Sequence, residues 1–277
     1  MSNLTLRPSV EGLEQAPDQL QALRDAYGKM QALRGDDNRS WVYWAGLHGY
    51  PQWMCWHHGR VGQGNPRRYN LFLPWHRAFL LYFEHSMKDQ NEKAVLPWWD
   101  WTSDTSHSIG LPSSFTDPQV DGAANPLYSG PVPSMLSVPE HTSARYPGSP
   151  AELPTADQVE TLLSLSSFVD FTLQIEDIHD QIHGWAGGMN PANSDEGGDM
   201  GAVATAAYDP IFWSHHCMID RIWYLWQLRQ GVNNVPDDYV QKPLAPFGLT
   251  VGDVLDINRL GYEYGVTEQV LTTDGPA

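Results

Sequence analysis

The 277-residue sequence contains little cysteine and few basic residues. Its two cysteines, Cys55 and Cys217, are too few to build a disulfide framework. Its 16 lysine and arginine residues stand against 33 aspartate and glutamate residues, which gives a formal net charge of −17. Such an acidic chain is a poor partner for nucleic acid or for an anionic membrane surface. We therefore expect neither nucleic acid nor a membrane among its partners.

The sequence also lacks an apolar run long enough to cross a bilayer. Its N-terminus lacks the basic and then apolar pattern of a signal peptide, so the localisation stays open. Hydrophobic residues nevertheless make up 41% of the chain, and twelve of its residues are tryptophan. This composition predicts a globular protein, with residues 1–277 forming a single domain.

The apolar residues recur mainly at helical spacing. Residues 10–34 predict one amphipathic helix. Four further regions predict helices that pack as a four-helix bundle: 40–48, 75–88, 175–186 and 210–228. Residues 103–155 are rich in Pro, Ser, Gly and Asp, which predicts one long irregular excursion packed on the core. The expected fold is mainly α, a four-helix bundle with long irregular loops.

Most of the eleven histidines lie in two clusters, within residues 48–85 and 179–216. His179 and His183 are four residues apart, so a helix would present both imidazoles on one face, one turn apart. The dipeptide His215-His216 lies in an apolar and aromatic run, where polar groups without partners would be costly. A bound metal ion explains this pattern with the fewest assumptions.

The donor set points to copper. Imidazole suits copper, zinc, iron or nickel, and intrinsic affinity favours copper. A hydrolytic dizinc site would be expected to include an Asp or Glu ligand, and the clusters offer no obvious one. Two Cu(I) ions open to O2 fit the histidines better.

Four segments of the chain resemble the tyrosinase and polyphenol oxidase (catechol oxidase) family. They are FLPWHR at 72–77 with Glu84 following, LPWWDW at 96–101, His179-x3-His183 before Gly187-Gly188, and DPIFWSHHCMIDR at 209–221. The resemblance runs from about Trp41 to Tyr264. It implies a helical core domain of about 41–264 around a type 3 pair of copper ions, without a C-terminal shielding domain.

The resemblance also implies a ligand set. The first copper ion would be held by His48, His57 and His76, and the second by His179, His183 and His216. His215 would be a neighbour of the second site, and Asp220 and Arg221 would form an ion pair or hydrogen bond that fixes the last ligand helix.

One ligand departs from the family pattern. The family usually has its second histidine nine residues before the one in the WHR motif, where this chain has Arg67. The second ligand must then lie upstream, at His57 or His58. Cys55-x-His57 resembles the thioether-linked cysteine and histidine of part of the family, which favours His57.

The activity implied by the resemblance is O2-dependent oxidation of o-diphenols or o-aminophenols to o-quinones, with ortho-hydroxylation of monophenols as a further activity. Asp180 follows His179 where hydroxylating members commonly carry Asn, which favours diphenol substrates. We expect Glu176 near the pocket mouth, where it and Asp180 would hold a water that accepts the phenolic proton.

Two alternatives remain open from the sequence, a reversible O2 carrier resembling molluscan haemocyanin and a dizinc hydrolase. Some bacterial relatives leave the cell bound to a helper protein that delivers copper. Such a helper is therefore a further partner to consider, beside a phenolic substrate and O2.

Overall fold

The computed structural model describes residues 4–57, 70–135 and 139–265. His58 and Arg67, which bear on the choice of the second ligand, lie outside these residues. In chain order the described α-helices are α1 (Val10–Glu14), α2 (Pro17–Ala32), α3 (Trp41–His48), α4 (Phe72–Gln90), α5 (Asp104–Ile109), α6 (Ala156–Leu163), α7 (Phe168–Gly187), α8 (Ile211–Gln230) and α9 (Val251–Val254). Four short 3-10 helices join them in the described ranges: Ser113–Phe115, Pro150–Glu152, Asp199–Gly201 and Ala206–Tyr208.

The predicted helical bundle is confirmed. Helices α3, α4, α7 and α8 correspond to the four predicted regions, and α4 packs against both α7 and α8. Helix α7 begins earlier than predicted because Ser167 caps it, its side chain accepting a hydrogen bond from the backbone N–H of Asp170. Among the described residues, no helix is long and apolar enough to span a membrane.

The predicted helix over residues 10–34 is in fact two helices. Helix α1 ends at Glu14, and α2 begins at Pro17 after a break at Gln15 and Ala16. Proline has no backbone N–H to donate, so it suits the first position of a new helix and interrupts a continuous one. The apolar period alone does not reveal the break.

The strands are short, at most five residues each, and they pair two by two. Strand β1 (Thr5–Arg7) pairs in parallel with β10 (Tyr262–Tyr264), which joins the two ends of the described chain. The other strands form antiparallel pairs: β2 (Gln119–Val120) with β3 (Ala123–Ala124), β4 (Pro131–Val132) with β5 (His141–Thr142), β6 (Met189–Asn190) with β7 (Asn193–Gly197), and β8 (Pro243–Leu244) with β9 (Leu249–Thr250). Helix α5 and the pairs β2–β3 and β4–β5 lie within the predicted irregular excursion.

Tryptophans form much of the core, as their density in the sequence predicts. Trp75, Trp99 and Trp101 are at most 1% exposed, and Trp98 is 8% exposed. On α8 the ring of Trp213 stacks on Phe83 of α4, with ring centroids 3.4 Å apart. Aromatic packing of this kind fixes the two helices against each other.

A buried ionic cluster joins α4, α8 and the β1–β10 pair. Asp220 accepts hydrogen bonds from Arg77 Nε at 2.6 Å and from the hydroxyls of Tyr262 and Tyr264, each at 2.7 Å. Arg7 Nη1 lies 3.4 Å from the same carboxylate. Asp220 thus fixes the last ligand helix as expected.

The partners of Asp220 are Arg7, Arg77, Tyr262 and Tyr264, and not Arg221. Arg221 does not pair with it, because the next position on the helix turns away, and its guanidinium lies 4.0 Å above the ring of Trp98. Burial raises the pKa of the Asp220 carboxyl, but Arg77 and Arg7 lower it by more, so its pKa lies below the usual range. The stability from this shift is present above the unfolded pKa of about 4 and is lost as pH falls through the folded value.

Replacing Asp220 with Asn should therefore destabilise the protein by about 3–5 kcal/mol, because the buried guanidinium of Arg77 loses its carboxylate partner, whereas Arg7 keeps its ion pair with Glu84. Urea unfolding at pH 7 measures the loss. The matched control is Asp256→Asn, which removes an exposed ion pair with Arg259 and should cost less than about 1 kcal/mol. Equal losses for the two variants would contradict the assignment.

Candidate metal centre

The structure brings the six predicted ligands together. Five of them lie on bundle helices, and His57 lies in an irregular segment between α3 and α4. The helical ligands are His48 at the end of α3, His76 on α4, His179 and His183 on α7, and His216 on α8. Four of these five residues are at most 2% exposed, and His183 is partly exposed.

Their ring nitrogens converge. His216 Nε2 lies 3.2 Å from His179 Nε2 and 3.3 Å from His183 Nε2. On the other side, His57 Nε2 lies 3.3 Å from His48 Nε2. One imidazole N–H can donate to one partner only, so hydrogen bonds cannot account for a nitrogen that faces two others at this distance. Converging lone pairs are the arrangement that a metal ion requires.

In three of the predicted ligands, the opposite ring nitrogen is held by an oxygen atom. His76 Nδ1 lies 2.8 Å from the carbonyl oxygen of Phe72, and His183 Nδ1 lies 2.8 Å from that of Met200. His179 Nδ1 lies 2.9 Å from Asp180 Oδ1. Each oxygen accepts the Nδ1 proton, so the Nε2 lone pair is directed into the site.

Burial keeps these imidazoles neutral. It lowers the pKa of His183 to about 4, and it lowers the pKa values of His76, His179 and His216 well below the usual range, with the neighbouring histidines lowering the last three further. Metal ligation needs the neutral form, so these groups bind a metal without first losing a proton.

The donor set fits copper. One group of possible ligand atoms combines His48, His76 and His216, and another combines His179, His183, His215 and His216; within each group all the atoms lie within 4.8 Å of one another. His76 Nε2 is buried and has no hydrogen-bond partner among the described residues. A further group joins His57 and His179 to Asp180, the one carboxylate in the groups found among the described residues, and the Asp180 side chain is 55% exposed. An imidazole set without a buried carboxylate suits copper better than a hydrolytic zinc pair.

A cavity of about 250 Å³ opens beside these nitrogens. The cavity is lined by His48, His57, His179, Asp180, His183, Gly184, Met200, Gly201, Val203 and Ala206. One wall is the turn at residues 199–201, which packs closely on the end of α7: a Cβ atom on Gly187 would lie 2.3 Å from the backbone nitrogen of Gly201. Glycine at 187 therefore allows the turn to approach closely enough for the carbonyl oxygen of Met200 to contact His183 Nδ1.

Residues 38–229 match the family model described as the common central domain of tyrosinase. The chain belongs to the tyrosinase family. A tyrosinase from Streptomyces antibioticus is 30% identical over 72% of this chain and 74% of its own length. Units G and H of a haemocyanin from Sepia officinalis are 29% identical over 87% of this chain, which spans 42% of that relative. A solved tyrosinase structure from Burkholderia thailandensis has the same fold, with a TM-score of 0.78 and 24% identity over 97% of this chain and 76% of its own.

Family membership confirms the expected cofactor. A tyrosinase-family domain holds a dinuclear copper site, and the histidine clusters of this chain supply its donors. The match supports copper-dependent oxidase or O2-binding activity, and the presence of both tyrosinases and haemocyanins among the relatives leaves the choice between them open. The division of the histidines between two copper ions stays a prediction.

The two predicted acidic residues occupy different places. Asp180 lines the cavity. Glu176 is fully buried and does not lie at the cavity mouth as expected, because on helix α7 it lies nearly one turn before His179 and faces the segment that carries His57. Cys55 lies where the resemblance implies, with its sulfur within 4.8 Å of ligand nitrogens of His48 and His57.

Sequence reasoning did not identify two groups that hold the site. Met200 acts through its backbone carbonyl, which leaves no mark in the sequence. Asn70 is fully buried and donates to Glu176 Oε2 at 2.7 Å. An asparagine two residues before an apolar helix can accept from the backbone N–H two residues on, a typical turn signal that could have drawn attention to Asn70.

Replacing His57 with Ala should reduce bound copper from two ions to about one per chain, because one of three ligands of a single site is lost. Metal analysis after reconstitution and dialysis measures the copper content. His85→Ala, on the exposed side of α4, is the control and should keep both ions. A full complement in the His57 variant would favour His58 as the ligand.

Proposed function

We propose that this chain is a copper-dependent polyphenol oxidase that converts o-diphenols or o-aminophenols to o-quinone products with O2. The cavity beside the histidines carries this proposal. Its volume of about 250 Å³ exceeds the roughly 150 Å³ that accommodates a benzene molecule in a protein interior. A carrier that binds only O2 needs no such space. Hydroxylation of monophenols is a second activity that the same cavity would admit.

The overall reaction converts two o-diphenols and one O2 to two o-quinones and two waters. The copper pair, when bound, supplies the electron transfer from the phenol to O2. Burial lowers the pKa values of the five helical imidazoles and so keeps them neutral, and the cavity admits the planar ring between His57, His183 and the small residues Gly184 and Gly201. Excluding bulk water from this space protects the chemistry from side reactions.

Asp180 and Glu176 are the residues proposed to hold the water that accepts the phenolic proton. Asp180 lines the cavity, so its carboxylate meets the hydroxyl of an entering phenol. Glu176 lies behind His57, with its Oε1 atom 3.8 Å from His57 Nδ1. We propose that the two carboxylates hold a water that accepts the phenolic proton, with Asp180 on the substrate side.

An O2 carrier is the second candidate, because several of the curated relatives are haemocyanins. Those relatives contain several units, and this chain spans 42% of one of them and 22% of another. A dizinc hydrolase is disfavoured by the donor set, in which Asp180 is the one grouped carboxylate of the described residues and lies exposed.

The first test is a spectrum of the copper-loaded protein with hydrogen peroxide added, followed by rate measurements on a catechol and on a monophenol. An intense near-ultraviolet band together with catechol turnover supports the oxidase. A band without turnover supports a carrier. If no band forms and metal analysis finds zinc in the protein as purified, both the oxidase and the carrier are contradicted.

Substituting Asp180 with Asn should raise the ratio of monophenol to diphenol rates severalfold. The variant keeps the oxygen that accepts from His179 but removes a negative charge that repels a deprotonated phenol. Initial rates on a matched monophenol and diphenol pair measure the ratio. Asp177→Asn, at an exposed position on the same helix, is the control; a ratio that stays the same in both variants removes Asp180 from this role.

A further inference from the structure

His57 differs from the other five ligands in how it is held. The others lie on helices, whereas residues 53–57 have no regular secondary structure. Its side chain is 20% exposed, while those of His48 and His76 are buried. A helix therefore does not fix the ring of His57, and its orientation must come from contacts with other parts of the chain.

Glu176 provides such a contact. Three other ligands, His76, His179 and His183, direct Nδ1 toward an oxygen atom and Nε2 toward the site. His57 has the same orientation with a longer, electrostatic contact: its Nδ1 lies 3.8 Å from Glu176 Oε1, beyond hydrogen-bond distance, and its Nε2 lies 3.3 Å from His48 Nε2. The carboxylate thus selects the ring orientation that presents Nε2 to a metal ion.

Asn70 holds that carboxylate. Its side-chain amide donates to Glu176 Oε2 at 2.7 Å, and both residues are fully buried. A buried carboxylate is costly unless it is hydrogen-bonded, so this contact fixes where the Glu176 oxygens lie. With Oε2 taken by the amide, Oε1 is the atom directed toward His57.

Asn70 is itself anchored at two further points. Its Oδ1 accepts from the backbone N–H of Phe72 at 2.9 Å, at the start of α4. Its backbone carbonyl accepts from the hydroxyl of Tyr239 at 2.5 Å, and the buried Tyr239 ring packs against Phe168 with centroids 5.2 Å apart. The amide that reaches Glu176 therefore starts from a fixed backbone.

We propose that Asn70 is a positioning residue for the metal ligand His57: its side-chain amide fixes the Glu176 carboxylate that faces the Nδ1 atom of His57. The role is distinct from contact with substrate, since Asn70 does not line the cavity. The inference rests on the copper site of the proposed function, and the experiment below separates a failure of one from a failure of the other.

The test exchanges the amide and the carboxylate. In Asn70→Asp the oxygen that accepts from Phe72 is kept, but a second oxygen replaces the donor and repels Glu176. The double variant Asn70→Asp with Glu176→Gln restores a donor and an acceptor in reversed order, with the same total charge. In it, the amide of Gln donates to Asp and its oxygen faces His57.

The measurement is Cu(I) affinity of each site, by competition of the copper-free protein with a chromophoric chelator. Asn70→Asp should lower the Cu(I) affinity of one site by about 10–100-fold and leave the affinity of the other site unchanged. The double variant should recover most of the lost affinity. Catechol turnover should stay low in the double variant if Glu176 also accepts a proton, because an amide cannot replace it as a base.

Asn125→Asp is the matched control. Asn125 is also buried, its Oδ1 accepts from the backbone N–H of Leu127, and its amide donates to the carbonyls of Ser114 and Asp117, all away from the histidines. Urea unfolding of the copper-free proteins should show comparable destabilisation for the two single variants, with copper affinity lowered only in Asn70→Asp.

Three results would overturn the inference. In Asn70→Asp, the Cu(I) affinity of both sites could fall equally, or that of neither site could fall. The double variant could also bind Cu(I) no more tightly than Asn70→Asp does. If Asn70→Asp does not fold, Glu176→Gln alone carries the same test. Its single amide oxygen cannot accept from Asn70 and face His57 at once, so one copper ion should again be weakened. A wild-type protein that binds no copper would contradict the proposed function instead.

Discussion

The ion pair between Arg77 and Asp220 joins the two helices that meet at the metal centre. Arg77 directly follows the predicted ligand His76 on α4, and Asp220 lies one turn after the predicted ligand His216 on α8. Their 2.6 Å contact is buried, so little screening by water weakens it and both groups would be costly without each other. It fixes the axial position of one ligand helix relative to the other. The converging nitrogens depend on that register, since a shift of one residue would turn either imidazole away from the site.

The pair formed by Arg77 and Asp220 also connects the metal centre to both ends of the described chain, at strands β1 and β10. Asp220 also accepts from Tyr262 and Tyr264 on β10, and Arg7 on β1 reaches Asp220 and Glu84. Hydroxyl and guanidinium donors satisfy the carboxylate completely, which is what allows a charged group to remain ionised in the core. Strands β1 and β10 would be too short to be stable alone, so their pairing and the ionic cluster support each other.

The parts of the site that the sequence predicts are those set by local periodicity. His179 and His183 share a helix face because they are four residues apart, and the apolar surroundings of His216 place it in the core. The long-range contacts were not predictable in the same way. The carbonyl oxygen of Met200 contacts His183 Nδ1 from 17 positions along the chain. Glu176 is buried and faces the irregular segment that carries His57. The break before Pro17 belongs to the same class, because an apolar period continues through it.

The centre therefore has two faces with different physical origins. Five predicted ligands lie on α-helices of the bundle. The cavity wall at Met200, Gly201 and Val203 comes from the short turn at residues 199–201 and the segment after it, and His57 lies in an irregular segment. Irregular segments tolerate substitution better than packed helices do, so substrate selectivity can change through the wall without loss of the metal. His57 differs from the rest of that wall, because it lines the cavity and is also a predicted metal ligand. A carboxylate held by a buried amide gives this residue the fixed orientation that the helices give to the other five.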